Sequence, residues 1–204
     1  MLWYNETYRR CYIIIATNNQ NKLKELKEIL NIDLKSLKDK NIEIDVEENG
    51  TTFYENAYKK AKEVYELTKE ATIADDSGLC IKALDDFPGV LTHRFLGENK
   101  TDEERNLALI EKTNEKDDRT AKVICNLVYY DGKNIIVGEG VINGKIATSP
   151  RGDNGFGFDP IFELTTGKTL AELSKEQKNS VSARFLAAKD LKERLMREGL
   201  IWFI

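Results

Sequence analysis

The chain of 204 residues holds a single histidine, His93, and only three cysteines and three prolines. One histidine excludes zinc sites built on several imidazoles. Any Ser-His-Asp or Cys-His arrangement would have to run through that one residue. Cys11, Cys80 and Cys125 are far apart, odd in number and form no C-x-x-C pair. Neither a disulfide framework nor a thiolate zinc site is indicated, and the cysteines read as buried thiols in a reducing compartment. No apolar run approaches the roughly 20 residues needed to span a bilayer. Met1 to Arg10 is polar and aromatic, without the apolar centre of a signal peptide. Residues 1–10 are therefore expected to be an extension before the first strand, in a cytoplasmic protein with no membrane partner. A basic field is lacking as well. With 31 basic and 35 acidic side chains the formal net charge is -4, which disfavours long nucleic acid as a partner. A phosphate-rich small molecule would have to be met by local positive charge or by a metal ion.

What is present is a 41% hydrophobic content, enough for a sizeable core, and 32% charged residues. Tyr12 to Thr17 is a β-branched run expected of a strand buried on both faces. It breaks into Asn18-Asn19-Gln20-Asn21, after which Leu23, Leu26, Ile29 and Leu30 recur at helical spacing. Ile42, Ile44 and Val46 alternate with polar residues and predict a strand. Thr52 with Glu55 and Thr101 with Glu104 are capping boxes opening helices. Short strands are expected at 71–74 and 79–84, on either side of Asp75-Asp76-Ser77-Gly78. A hairpin is expected from Arg119–Tyr130 and Asn134–Val141 about Asp131-Gly132-Lys133. A helix from about Ser180 to Arg197 would bury Val181, Phe185, Ala188, Leu191 and Leu195. No repeat or linker divides the chain, so one domain over 1–204 is expected. Its class is α/β, with a long, twisted mixed sheet and flanking helices.

Four segments have the composition of a site, and each has a plainer reading beside it. Thr17 to Lys22 is a strand-to-helix turn whose backbone N–H groups, asparagines and lysine suit phosphate; it also fits an ordinary capped turn. In Ala74 to Gly78, two adjacent carboxylates follow a buried strand, which is costly unless cations or donors compensate them. In an extended segment the two point to opposite sides, so one can reach a metal while the other anchors the loop; an Asp- and Ser-rich turn is the alternative. Arg151 to Pro160 alternates glycine with aromatics, offering Phe156 or Phe158 as a stacking face and Asp159 as an acceptor for a base N–H. It equally suits a structural loop. Ala171 to Arg184 contains a helix start at Ser174 and Gln177, with Lys178 and Arg184 either facing a cleft or lying on a solvated helix face.

In this order the four segments resemble the inosine triphosphate pyrophosphatase family, also called dITP/XTP pyrophosphatases. Phe53 to Ala61, the Pro88-Gly89-Val90 turn and Arg119 to Cys125 extend the likeness, which spans Tyr12 to Arg197. The resemblance implies two α/β lobes with a central cleft, a homodimer, and Mg²⁺-dependent hydrolysis of ITP, dITP or XTP to the monophosphate and pyrophosphate. It implies that Thr17, Asn18, Asn19, Gln20, Asn21 and Lys22 bind the triphosphate. Asp76 would bind metal and act as general base, Glu47 would share the metal, and Ser77 would contact substrate. Phe156, Gly157, Phe158 and Asp159 would form the base-binding loop, with Lys178 and Arg184 as further nucleotide contacts. Lys60 matches a lysine within reach of phosphate. Hypoxanthine and xanthine carry an O6 acceptor and an N1–H donor, which Arg184 and Asp159 would match and adenine would not.

Two departures stand out. The family usually reads Ser-His-Arg where this chain has Ser182-Ala183-Arg184, and Ser-Ala-Arg where it has Thr92-His93-Arg94. His93 is either a compensating contact from across the cleft or unrelated surface chemistry. Two further readings of the whole chain are a phosphatase releasing orthophosphate and a nucleotide-binding module without turnover.

Overall fold

The structure, a computed structural model, describes residues 12–97 and 99–201. The expected extension at 1–10 and the thiol of Cys11 lie outside the described residues. The elements run β1 (Ile13–Ile15), α1 (Gln20–Leu30), β2 (Leu34–Ser36), α2 (Phe53–Thr68), β3 (Thr72–Ile81), β4 (Phe87–Pro88), α3 (Asp102–Asn114), β5 (Thr120–Tyr130), β6 (Ile135–Ile146), β7 (Phe162–Glu163), α4 (Lys175–Val181) and α5 (Ala183–Arg197). One mixed sheet has the order β2-β1-β3-β5-β6-β7, with β4 beside the far end of β3. β1 is parallel to β2 and β3, while β5, β6 and β7 continue antiparallel. The α/β class with a long mixed sheet and flanking helices is therefore as expected.

Side-chain alternation along the strands divides the interior into two layers. Ile13, Ile15, Ile73, Leu79, Ile81, Cys125 and Leu127 face α1 and α5, whose Leu23, Leu26, Leu30, Ala187, Ala188 and Leu191 complete the larger core. Ile14, Ala16, Ala74 and Val128 face Ala57, Ala61 and Val64 of α2. Helix α5 lies almost on the backbone of β6. A Cβ added at Gly140 would meet the Ala187 amide nitrogen at 2.6 Å, so only glycine permits that approach. Cys80 and Cys125 are both buried free thiols, and burial pushes the latter up to about 12.

Four expected boundaries are corrected. Residues 42–46 form no strand. Their alternation reflects Ile42 and Ile44 packing on the smaller core, whereas the sheet edge beside β1 is taken by Leu34–Ser36. The pieces expected at 71–74 and 79–84 are one strand through the aspartates, because β5 pairs with every residue of Thr72–Ile81. The second hairpin strand runs on to Ile146, still paired through the glycine-interrupted part that hid it from the pattern. The C-terminal helix is two helices. Ser182 leaves helical geometry at ψ 155°, and its side chain accepts from the Phe185 amide to start α5. The break turns Val181 outward, 39% exposed, instead of into the core.

The position of the site follows from a gap in the sheet. On the edge away from β5, β3 pairs with β1 only at Thr72 and Ile73, and with β4 only at Cys80 and Ile81. Between them, among the described residues, no strand covers Ala74 to Leu79. The backbone groups on that edge find other partners, as buried groups must. Lys60 Nζ donates to the Asp75 carbonyl, the Ser77 amide donates to Asp76 Oδ1 (3.0 Å), and the Leu79 amide donates to Thr92 Oγ1 (3.0 Å). A crevice beyond the carboxyl end of a strand is where open α/β sheets bind ligands.

Candidate active site

The two aspartates occupy opposite faces of β3, which is the alternation expected from their sequence adjacency. Asp75 lies under α1 and α5, 2% exposed, with Lys22 Nζ at 3.0 Å and Arg184 Nη2 at 3.3 Å. Burial opposes its ionisation, but Lys22 and Arg184 outweigh burial and hold the carboxyl well below the usual carboxylate range. Asp76 lies under α2, where Asn56 Nδ2 donates to its Oδ2 at 3.0 Å. Burial raises its pKa; Lys60 opposes that rise and Glu48 adds to it. One aspartate is thus fixed as a charged strut, and the other is left with raised proton affinity.

Asp75 belongs to a buried chain of alternating charges that links the turn before α1 to the glycine-rich loop. Arg184 Nη1 reaches Glu25 Oε2 at 2.5 Å, Lys178 Nζ reaches Glu25 Oε1 at 2.9 Å, and Lys178 also reaches Asp159 Oδ2 at 2.6 Å. The sequence Lys22–Asp75–Arg184–Glu25–Lys178–Asp159 pairs three cations with three anions, every side chain 10% exposed or less. Above it, the Phe156 ring centroid lies 4.4 Å from Lys178 Nζ and 5.6 Å from Arg184 Cζ. Both are cation–π distances.

These contacts engage several atoms of the expected site residues. Asp159 Oδ2 also accepts from the Phe156 amide at 2.8 Å, so this oxygen is committed to shaping the loop. Arg184 spends its terminal nitrogens on Glu25, Asp75 and Ser77 Oγ (3.2 Å), leaving only Nε without a partner. Phe158 packs on the larger core, whereas the half-buried Phe156 ring lies over Lys178 and Arg184. Ser77, Phe156, Gly157, Phe158, Asp159, Lys178, Ala183, Arg184 and His93 nevertheless line one cavity of about 30 Å³. That volume holds water and is smaller than a purine.

A second cavity, about 250 Å³, lies across the sheet gap and is lined by Thr17, Asn18, Asn19, Lys22, Glu48, Lys60 and His93. Four of the six residues expected at the triphosphate are brought together here. Gln20 and Asn21 are not: they line other grooves on the outside of the first turn of α1. Asn19 caps that helix, its side chain accepting from the Asn21 and Lys22 amides, so these two N–H groups already have partners.

Glu47, expected to share the metal, is turned outward in this structure. Its side chain is 78% exposed, 3.8 Å from Lys59. Adjacent side chains on extended backbone point apart, and it is Glu48 that turns inward. Arg94 donates to the Glu48 carboxylate (2.9 Å) and carbonyl (2.6 Å), while Lys60 Nζ lies 2.7 Å from Glu48 and 4.0 Å from Asp76. Burial would raise Glu48, but Lys60 and further cations lower it. Among the described residues no cluster of three or more His, Cys, Asp or Glu could by itself hold a metal ion. Two inward carboxylates near a shared ammonium do fit a hard cation that takes its remaining ligands from water and phosphate.

Sequence reasoning missed Glu25, Glu48, Asn56, Asp102 and Asn106. The last two hold the glycine-rich loop from α3: Asp102 accepts from the Gly157 amide at 3.0 Å and Asn106 donates to its carbonyl at 2.8 Å. A Lys22–Glu25 pair one helical turn apart, on the face carrying Leu23 and Leu26, was the one available signal for Glu25. The two departures, Ala183 and His93, both line the cavity beneath Phe156. Among the described residues, no helix is long and apolar enough to cross a membrane.

Comparison with known proteins gives a consistent set of relatives. Residues 13–194 match the model of the Ham1 family. A Bacillus subtilis dITP/XTP pyrophosphatase is 44% identical over 190 residues, covering 89% of this chain and 96% of that protein. A Clostridium perfringens protein of the same name is 43% identical over 195 residues, covering 89% and 96%. The structure of the Staphylococcus aureus Ham1 protein superposes with a TM-score of 0.84 at 38% identity, covering 92% of this chain and 99% of that one.

Proposed function

The chain belongs to the Ham1 family, and from that premise we propose that it is a nucleoside-triphosphate pyrophosphatase acting on deaminated purine nucleotides such as ITP, dITP and XTP. The observation that carries this reading is the division of labour between Asp75 and Asp76 across β3. Asp75 binds the cations that join the two cavities, and Asp76 stands free of that chain beside Glu48 and Lys60.

Thr17, Asn18, Asn19 and Lys22 offer neutral donors and one charge to the triphosphate, and Lys60 supplies a second charge from α2. Asp76 orients the attacking water and takes its proton, for which raised proton affinity is suited. Glu48, in place of Glu47, is the second carboxylate available to Mg²⁺. When bound, that ion would neutralise phosphate charge and favour departure of pyrophosphate. Asn56 and the Ser77 amide fix the Asp76 carboxylate against rotation. On the other side, Phe156 swings from its place over Lys178 and Arg184 to admit the base, and Arg184 Nε is the unpaired donor within reach of an O6 acceptor. Adenine, with an amino group there, leaves that buried donor unpaired. Homodimerisation and cytoplasmic residence belong to the same reading, and light scattering on the purified chain tests the first.

The decisive assay incubates the protein with ITP, XTP, GTP and ATP plus Mg²⁺ and identifies the products. IMP and pyrophosphate from ITP are expected. Asp76→Asn is expected to lower kcat by about 10³-fold or more with the circular dichroism spectrum unchanged, since it removes proton acceptor and metal ligand together. Release of orthophosphate alone, or no turnover of ITP, refutes the proposal.

A further inference from the structure

Among the described residues, His93 is the one that lines both cavities. Its neighbours hold it there. Thr92 Oγ1 accepts from the Leu79 amide at 3.0 Å and donates to the Gly89 carbonyl at 2.6 Å, while Arg94 grips Glu48. With both flanking residues anchored, the His93 side chain stands at the seam, exposed along the cleft. A Cβ added at Gly157 would lie 3.8 Å from His93 Cε1, which places the imidazole over the base loop. Neither ring nitrogen has a hydrogen-bond partner among the described residues.

On the reading above, the base occupies the cavity beneath Phe156 and the triphosphate the cavity at Thr17. The part of a nucleotide between them is its sugar, which must pass His93. We propose that His93 is a specificity-determining residue of this chain, and that its imidazole hydrogen-bonds a sugar hydroxyl of the bound nucleotide. A neutral imidazole offers one donor and one acceptor, the same pair that a hydroxyl offers in return. The protein walls and the charge of Lys22 keep the ring in that neutral form, holding its pKa down at about 4. The inference depends on nucleotide binding at this site and is independent of turnover.

The test compares the full chain with His93→Ala and His93→Gln, the latter retaining a donor and an acceptor. Calorimetry measures binding of IMP and of inorganic tripolyphosphate, which has no sugar or base, and steady-state assays use ITP and dITP. One hydrogen bond of ordinary net strength corresponds to about 5–10-fold in affinity. H93A is expected to raise the Kd of IMP and the KM of ITP by that factor, with kcat altered less than about twofold. Tripolyphosphate affinity and Tm should stay unchanged, and H93Q should recover most of the loss. A loss confined to ITP assigns the bond to the 2′-hydroxyl, and an equal loss on dITP assigns it to the 3′-hydroxyl; both support the inference. Unchanged IMP binding in H93A overturns it, as does an equal loss for tripolyphosphate or an H93Q variant no better than H93A. A wild-type chain that binds IMP but does not hydrolyse ITP removes the pyrophosphatase reading while the IMP comparison still decides this one.

Discussion

Replacing Glu25 by glutamine tests the buried charge chain at its middle. The carboxylate holds Arg184 at 2.5 Å and Lys178 at 2.9 Å, so its loss strips both cations of a shared counter-charge. Of the six charges three are positive; neutralising Glu25 leaves three cations facing Asp75 and Asp159 alone. Each lost pair is a gross attraction of about 4 kcal/mol at an effective dielectric of about 20. Against the sum stands the desolvation penalty of Glu25 itself, several kcal/mol, which the mutant no longer bears. The net expectation is a destabilisation of about 3–5 kcal/mol, the range found when one member of a buried pair is removed. Urea unfolding followed by circular dichroism measures it. With a slope of about 2–3 kcal/mol/M, the midpoint should fall by about 1–2 M. The same difference should persist in 0.5 M salt, because buried pairs are poorly screened. A loss below about 1 kcal/mol, or one that disappears in salt, would refute the claim that this chain is a buried unit. The KM for ITP should rise in parallel, since Lys178 and Arg184 lose the anion that positions them.

Two further outcomes follow from single contacts. Gly78→Ala should destabilise the fold by about 1–3 kcal/mol, as overpacking does, because the new methyl would press on the Gly89 carbonyl and Thr92 Oγ1, each 2.5 Å away; an unshifted urea midpoint would contradict the packing described. The lone histidine allows a clean titration by NMR: the His93 Cε1–H signal should move with a midpoint near pH 4, well below the ordinary 6.5. Since the folded value is depressed, unfolded chains bind the proton first. His93 therefore lowers stability as pH falls from about 6.5 to 4 and has no such effect above that window. A midpoint at 6.5 would show the ring to be freely solvated.

Much of the fold was legible where local chemistry acts alone. The capping boxes at Thr52 and Thr101 start α2 and α3 as expected, and simple alternation sends Asp75 and Asp76 to opposite faces. What stayed hidden depends on tertiary partners. Nothing in Glu47-Glu48 says which one turns inward until Arg94 and Lys60, remote in sequence, select Glu48. Glu25 looks like any exposed helical acid until α4 and α5 cover it with Lys178 and Arg184. The partner of Asp159 was likewise hidden, because the ammonium of Lys178 that meets it comes from α4. Helical periodicity ran through Ser182 because a serine that caps a new helix leaves the apolar spacing on either side almost intact.

The uncovered edge of β3 carries a consequence for how the protein survives in a crowded solution. An interrupted sheet exposes amides and carbonyls that can recruit a strand from another molecule. Here the Lys60 ammonium occupies the Asp75 carbonyl, the Asp76 carboxylate occupies the Ser77 amide, and the Thr92 hydroxyl occupies the Leu79 amide. The opening that admits a ligand is thus stoppered against foreign backbone by side chains of the ligand site and its border. Resistance to self-association and the capacity for chemistry rest on the same few atoms, so a change at Lys60 or Asp76 acts on both.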